Sequence, residues 1–402
     1  MKKEILIISG YWPTKSNSIS GIFVVQQIRA LVRAGCRVTI ICPISFGRGD
    51  NLKSIQSLGL ADSDVELIKV VVYRLPEIIS SCSFCIKINI FINGVVLSRA
   101  LRLLVRSRVF YGCLVHGIRY AGLSIATWAR WLKCKKAIVV HGVDPFIAKN
   151  IIHQEVLFFC KNLVAASDAI VLVGRPLLAQ AAALKFPSSK IHVVANGTDL
   201  PLLTTISNTQ RRIDAVRRIV SVSNLVRLKG IDDNMRALAA IAIFRPDLKW
   251  EYRIVGDGPQ REALEKLSSD LGIDSKVKFL GRVAYETTMQ EIADCDVFSL
   301  PSWGEAFGIV YLEAMARMRP VIGCLNNGAA DIFADGVEGR LVPPKDVTAL
   351  ASALMQLIGN PALCAEMGQA GRTTAETMSW DANAKQMLSL LSFGDLGMPD
   401  AD

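Results

Sequence analysis

The sequence predicts an α/β fold built from two parallel sheets, and three observations lead there. Short apolar runs with β character alternate with helical stretches along the 402 residues. Such alternation argues for parallel sheets covered on both faces. The pattern breaks once, in the polar stretch 204–212, and then starts again. Apolar residues make up 51% of the chain, enough for sizeable cores in both halves.

In the first series a strand is expected over 5–9, then a long loop through Trp12-Pro13 to Ser20-Gly21. A helix over about 22–34 follows, with Gly35 placed to end it, and then a strand over 38–42. Further strands are expected over 137–140, 169–173 and 191–194. The second series has strands over 220–223, 252–255, 277–280, 297–300 and 321–323, with helices between them. The division implied is an N-terminal domain over 1–200 and a C-terminal domain over 201–380, two Rossmann-like domains facing one cleft.

Charge separates the halves. Residues 1–200 carry 25 Lys and Arg against 10 Asp and Glu, and residues 201–402 carry 21 against 26. From Ile78 to Val143 there are ten basic residues and no acid, a field for an anionic partner. Leu97, Leu101, Leu104 and Val105 recur at helical spacing in this region, beside Lys87, Arg99, Arg102, Arg106 and Arg108. That pattern suits either a helix packed on its own sheet or one lying on an anionic membrane surface. The four apolar residues Ile5–Ile8 after the basic start are too few for a secretory signal. The stretch 84–104 is interrupted by Lys87, Asn89, Asn93, Arg99 and Arg102 and does not read as a membrane span. Ten cysteines follow no zinc pattern, and Cys82 and Cys85 form a lone C-x-x-C. Free thiols and the missing signal point to the cytoplasm, with the inner face of the cell membrane as a place of attachment.

The richest segment is P-S-W-G-E-A-F-G-I-V-Y-L-E-A-M-A-R-M-R-P-V-I-G, residues 301–323. It follows the strand over 297–300 and reads as a turn bearing Glu305 and a helix bearing Glu313. A helix that opens just after a strand presents free N–H groups to an anion. Carboxylates before and within it suit hydroxyls on either side of a bound phosphate, the layout of a sugar nucleotide. Lys229, in L-V-R-L-K-G-I-D between a strand and a helix, suits a diphosphate as a point charge. Gly256-Asp257-Gly258-Pro259 reads as a tight turn with Pro259 at a helix's first position. His141, in V-V-H-G-V-D-P, lies just past a strand end, the edge where ligands bind in such sheets.

The segment 301–323 resembles the E-x7-E signature of the family 4 retaining glycosyltransferases, and Glu305 and Glu313 fall on its acidic positions. The run Glu313-Ala-Met-Ala and the later Pro320-Val-Ile add to the likeness, with Arg319 standing where the family usually has Gly. The segment around Lys229 resembles the family's Gly-Arg-Leu…Lys-Gly element, with Asn224 in place of its Arg and Arg227 nearby. The stretch 326–344 is similar to the family's late glycine-rich segment, with Asp331 where Glu is usual. Looser matches are Ser-Gly21-Ile-Phe-Val, His141-Gly-x-Asp144 and Asn196-Gly-x-Asp199, with His116-Gly a weaker candidate of the histidine kind.

This resemblance implies the GT-B fold and transfer of a hexose-type sugar from a UDP- or GDP-sugar to a glycan or lipid-linked acceptor, as in envelope polysaccharide or glycolipid assembly. It implies Glu313 on the nucleotide ribose, Glu305 on the donor sugar, and Phe307, Gly308 and Ile309 along sugar and phosphate. Gly328 would bring backbone close to the donor, and Lys229, aided by Arg227, would neutralise the diphosphate. Gly21 would let backbone approach a phosphate or acceptor, and His141 would contact the donor sugar. No metal or other cofactor is expected, and Asp294-Cys-Asp296, which resembles the D-x-D of another transferase fold, immediately precedes a strand. The final segment, about 381–402, would cross back to the N-terminal domain.

A sugar-nucleotide epimerase on the same fold is the rival enzyme reading. A dinucleotide-dependent oxidoreductase fits less well. The first strand lacks a following G-x-G-x-x-G, and the second ends in Pro43 rather than an acid. A nucleic-acid-binding module would suit the basic half, which lacks interleaved aromatics, and no nucleic-acid partner is expected.

Overall fold

The computed structural model describes residues 2–15, 20–45, 52–72, 83–118, 122, 124–142, 154–202 and 216–392. The stretch 204–212, Asp144, Cys82, the side chains of Cys85 and Lys87, and the tail 394–402 lie outside the described residues. The chain forms two units, Met1–Ala195 with Trp380–Asp402, and Asn196–Ser379.

The N-terminal unit holds a seven-stranded sheet in the order β3-β2-β1-β4-β5-β6-β7. Its strands are β1 (Glu4–Ser9), β2 (Arg37–Ser45), β3 (Val65–Val72), β4 (Gly112–His116), β5 (Lys135–Val140), β6 (Ala169–Leu172) and β7 (Ile191–Val193). Every pairing is parallel. Ile5, Leu6, Ile7 and Ile8 are all fully buried. Successive strand residues point to opposite faces, so both faces of the sheet are covered. The helices are α1 (Ile22–Arg33), α2 (Ser83–Leu104), α3 (Ile125–Trp128), α4 (Gln154–Ala166) and α5 (Leu177–Ala183).

Three strands escape the expectation from sequence: β3, β4 and, in the second unit, β13. β3 and β13 are edge strands. β3 carries Glu66 and Lys69, and β13 is only Gly339–Val342. β4 is a five-residue strand that begins at a glycine.

Helix α2 matches one of the two readings of its sequence, a helix packed on its own unit. Leu97 and Leu101 are fully buried, so the leucine stripe packs inward. The outward face mixes apolar and basic residues: Phe91, Val95, Arg99, Arg102 and Leu103 are exposed, and Arg106 is exposed just past the helix. Arg108, beyond the helix, is held by Glu4 and Glu66.

The C-terminal unit repeats the plan with six parallel strands in the order β10-β9-β8-β11-β12-β13. They are β8 (Arg217–Val222), β9 (Trp250–Val255), β10 (Val277–Gly281), β11 (Val297–Ser299), β12 (Val321–Cys324) and β13 (Gly339–Val342). The helices are α6 (Ile231–Phe244), α7 (Arg261–Asp270), α8 (Tyr285–Ala293), α9 (Ile309–Met315), α10 (Val347–Gly359) and α11 (Pro361–Thr377). Beneath the sheet's centre, Asn234 on α6 donates to Tyr252 Oη at 3.1 Å and accepts from Ser299 Oγ at 2.7 Å. A satisfied buried network of this kind pins α6 to β9 and β11.

The last helix, α12 (Trp380–Leu391), belongs to the N-terminal unit. Gln27 of α1 donates to Asn383 at 2.8 Å, and Asn383 donates to the Ala195 carbonyl at 2.7 Å. A Cβ on Gly112 would lie 2.7 Å from the Leu391 side chain, so glycine at the start of β4 lets this helix close on the sheet.

Each sheet reverses its winding once. The chain leaves β1 to build β2 and β3 on one side and crosses to β4 on the other, and it does the same from β8 to β11. Such switch points open a crevice at the carboxyl ends of the strands.

Candidate functional site

At the second switch point three loops meet, one after each of the neighbouring strands β8, β11 and β12. The first turns through Arg227–Lys229 and enters α6 at Gly230, which has φ 66°. A Cβ there would lie 2.3 Å from the Pro301 carbonyl oxygen, so only glycine lets this turn press on the loop after β11. Trp303 N donates to the Leu228 carbonyl at 2.8 Å and fixes the register of the two loops. This places Lys229 Nζ 2.6 Å from Glu305 Oε2, with the side chains 18% and 16% exposed. Residues 76 apart in sequence thus form one ion pair. Arg227 is exposed on the same turn.

The third loop joins at Gly328, whose N–H donates to the Glu305 carbonyl at 2.9 Å. A Cβ on Gly328 would lie 2.5 Å from the Phe307 backbone, so this glycine seats one loop on the other. Asn327 caps the turn by accepting from Ala329 N at 3.0 Å and donates to the Ser302 carbonyl.

Nine residues, 300–308, separate β11 from α9, and α9 is only seven residues long. The turn bearing Glu305 read from sequence is therefore a nine-residue loop. Gly308, with φ 93°, ends it, and Ile309 begins the helix. The turn after α9 has its left-handed residue at Met318, φ 58°, so Arg319 in place of the family's usual glycine strains nothing. Glu313, in the second turn of α9, accepts a hydrogen bond from Tyr285 Oη at 2.9 Å. Burial, the largest cause, raises its carboxyl above the usual range, against the Tyr285 hydrogen bond and the Arg317 charge. Tyr285, at the start of α8, is a site residue that no local motif marks.

The Gly256–Pro259 turn is structural. A Cβ on Gly256 would fall 1.8 Å from the Ser223 carbonyl oxygen, and one on Gly258 2.5 Å from that of Leu225. Pro259 sits two residues ahead of α7 rather than at its first position. Asp296 faces Arg217 at 3.6 Å and accepts from Arg218 N at 2.6 Å, and Asp294 lies 3.9 Å from Arg218.

At the first switch point the side chains that meet among the described residues are aromatic and uncharged. Gly21, φ 72°, opens α1, and a Cβ on it would meet the Tyr11–Trp12 backbone at 2.6 Å. Its glycine is thus already required by the chain's own packing. His116 ends β4 and His141 follows β5. His116 Nδ1 and His141 Nε2 stand 2.8 Å apart, with ring planes within 9° of parallel. Phe23 packs on His141 at 4.3 Å between centroids, and Tyr11 presents an edge to it at 6.0 Å. Desolvation pushes the His116 pKa down to about 3. Desolvation, and then the neighbouring His116, hold His141 well below the ordinary value. The sequence named both histidines separately, but not as a pair.

Two family models cover most of the chain: "Glycosyltransferase Family 4" matches residues 20–201, and "Glycosyl transferases group 1" matches 205–374. A GDP-mannose-dependent alpha-(1-6)-phosphatidylinositol monomannoside mannosyltransferase of Mycolicibacterium smegmatis is 36% identical over 182 residues, 43% of this chain and 47% of its own. A D-inositol 3-phosphate glycosyltransferase of Corynebacterium urealyticum is 32% identical over 217 residues, 50% of this chain and 51% of its own. The matched part spans about half the length of these curated relatives. Among solved structures, a sucrose-phosphate synthase from Thermosynechococcus elongatus aligns with TM-score 0.74 at 19% identity, covering 97% of this chain and 98% of that one. Anabaena HepE in complex with UDP and glucose aligns with TM-score 0.71 at 17% identity, covering 97% and 99%. These two likenesses concern the fold.

Proposed function

Since the chain belongs to the family 4 glycosyltransferases, we propose that it is a hexosyltransferase acting on a nucleotide-activated sugar, with retention of the anomeric configuration. The observation that carries this reading is the Lys229–Glu305 pair held where three loops meet at the β8/β11 switch point. A lysine ammonium has three donor hydrogens, so pairing with Glu305 leaves two for a diphosphate. Glu305 orients the donor sugar through its hydroxyls, and Glu313 accepts from the nucleotide ribose. Phe307, Gly308, Ile309 and Gly328 line the path of sugar and phosphate, and Arg227 adds positive charge.

In the reaction the bond from the anomeric carbon to the diphosphate oxygen breaks, and Lys229 stabilises the leaving charge. The acceptor hydroxyl attacks from the same face, and its proton passes to the departing phosphate oxygen. Glu305 is not assigned as a nucleophile, and no step is routed through a metal. On the N-terminal unit, Gly21 and His141 mark the edge for substrate. GDP-mannose dependence and a phosphatidylinositol acceptor are printed for the Mycolicibacterium relative, and UDP with glucose for HepE. They support a GDP- or UDP-sugar donor and a glycan or lipid-linked acceptor here. The exposed basic and apolar face of α2 supports a peripheral site on the inner, anionic leaflet of the membrane.

A panel of UDP-, GDP- and ADP-sugars tests the reading by thermal shift, followed by transfer with and without anionic vesicles. One nucleotide class should raise Tm selectively, a ligand at 100 times its Kd adding about 2.7 kcal/mol. The vesicles should raise turnover. A panel in which no nucleotide sugar shifts the protein would refute the proposal, and turnover without an acceptor would favour the epimerase.

A further inference from the structure

His116 and His141 share one proton across their 2.8 Å contact, and its position decides what His141 offers a ligand. Two neutral arrangements are open. In one, His116 Nδ1–H donates to His141 Nε2, and His141 carries its own proton on Nδ1. In the other, His141 Nε2–H donates, and His116 carries its proton on Nε2.

The far side of His116 separates them. Its Nε2 is buried with no hydrogen-bond partner among the described residues, and the residue is 3% exposed. A buried N–H without an acceptor is rarer in folded proteins than a buried acceptor left bare. The second arrangement would strand an N–H there, whereas the first leaves only a lone pair. A doubly protonated ring would strand the same N–H and add a buried charge. The surroundings hold the pair in this geometry. His116 is in register with Ser9 on one side and Val139 on the other. Phe23 and Tyr11 flank the His141 ring, and Gly117, φ 89°, leaves room for Tyr11, which a Cβ would approach to 3.0 Å.

We infer that His116 is a positioning residue that donates Nδ1–H to His141 Nε2 and so fixes His141 as the Nδ1–H tautomer, a neutral hydrogen-bond donor. The second nitrogen of an imidazole takes its role from the bond made by the first. His141 then has no free basic nitrogen. It serves an acceptor atom, such as a sugar hydroxyl or phosphate oxygen, and it cannot take a proton from an attacking hydroxyl. The role assigned in sugar transfer rests on the function proposed above, whereas the tautomer does not.

The test is nitrogen-15 NMR of histidine-labelled protein, with the signals of the four histidines assigned through single variants. His116 and His141 should both show the Nδ1-protonated pattern, and an Nε2-protonated His141 would overturn the inference. The spectrum is read on the free protein, so its outcome is separate from that of the donor panel. In H116N the amide N–H replaces Nδ1–H, so the His141 tautomer should persist and kcat should stay within about threefold of wild type. In H116D only an acceptor faces His141, so the signal should change to Nε2–H and kcat should fall about tenfold with KM little changed. Equal losses in both variants with one unchanged tautomer would also overturn it, since that is what a merely structural residue would give.

Discussion

The two switch points share a topology and, among the described residues, carry opposite chemistry. At β1/β4 the side chains that meet are two imidazoles, a phenyl ring and a phenol, and burial keeps the imidazoles uncharged. At β8/β11 an ammonium meets a carboxylate at 2.6 Å, and a second carboxylate lies on the helix that follows. The difference follows from how the loops close. After β8 and β12, Gly230 and Gly328 let those loops press on the loop after β11, so Lys229 and Glu305 arrive as partners. After β4 and β5, the two histidines extend straight from the strand ends and pair with each other. In the proposed function the charged edge binds an anion and stabilises a leaving group, and the neutral edge orients an uncharged or acceptor atom.

The sharpest way to break this contrast is Glu305→Gln. It keeps the shape of the side chain and removes the charge that pairs with Lys229 and that the proposed function places on the donor. Transfer should fall by roughly a hundredfold or more, with circular dichroism and Tm near those of wild type. Near-normal turnover would show that the charged edge does not carry the chemistry.

Each half of this contrast was partly legible in the sequence. Glu305, Glu313, Lys229 and His141 each stood in a motif, and the strands bearing them were central apolar runs with few alternatives. The couplings were not legible. Lys229 meets Glu305 because β8 pairs with β11, and His116 meets His141 because β4 pairs with β5, with Val139 opposite His116. A local pattern carries no strand order. Tyr285 reaches Glu313 across 28 residues and had no signal of its own. Of the missed strands, β3 carries Glu66 and Lys69 among its apolar residues, and β4 and β13 are only five and four residues long, too short for a pattern of their own.

Acid should move the two edges in opposite directions. An unfolded histidine titrates near 6.5, and His116 in the fold only at about 3. The unfolded chain therefore binds more protons below pH 6.5, and the stability held in the neutral pair above that value is lost as the pH falls. For His116 roughly 1 kcal/mol is at stake by pH 5.5, and His141 adds a loss in the same direction. Glu251 and Asp64, whose pKa values are lowered from 4.5 and 3.8, change only below this range. Glu313 runs the other way. Its carboxyl is raised from 4.5 by burial, so the charged form weakens the fold above that pH, and acid removes the cost. Glu313→Gln can still accept from Tyr285 through its amide oxygen. It should raise Tm at pH 7.5 by about 2 °C, with the gain shrinking as the pH approaches 4.5. On the proposed placement of the ribose against Glu313, the same variant should weaken nucleotide binding by about tenfold. A variant that is less stable at pH 7.5, or that binds nucleotide as tightly as wild type, would mean that the buried carboxylate is kept for packing rather than for a ligand.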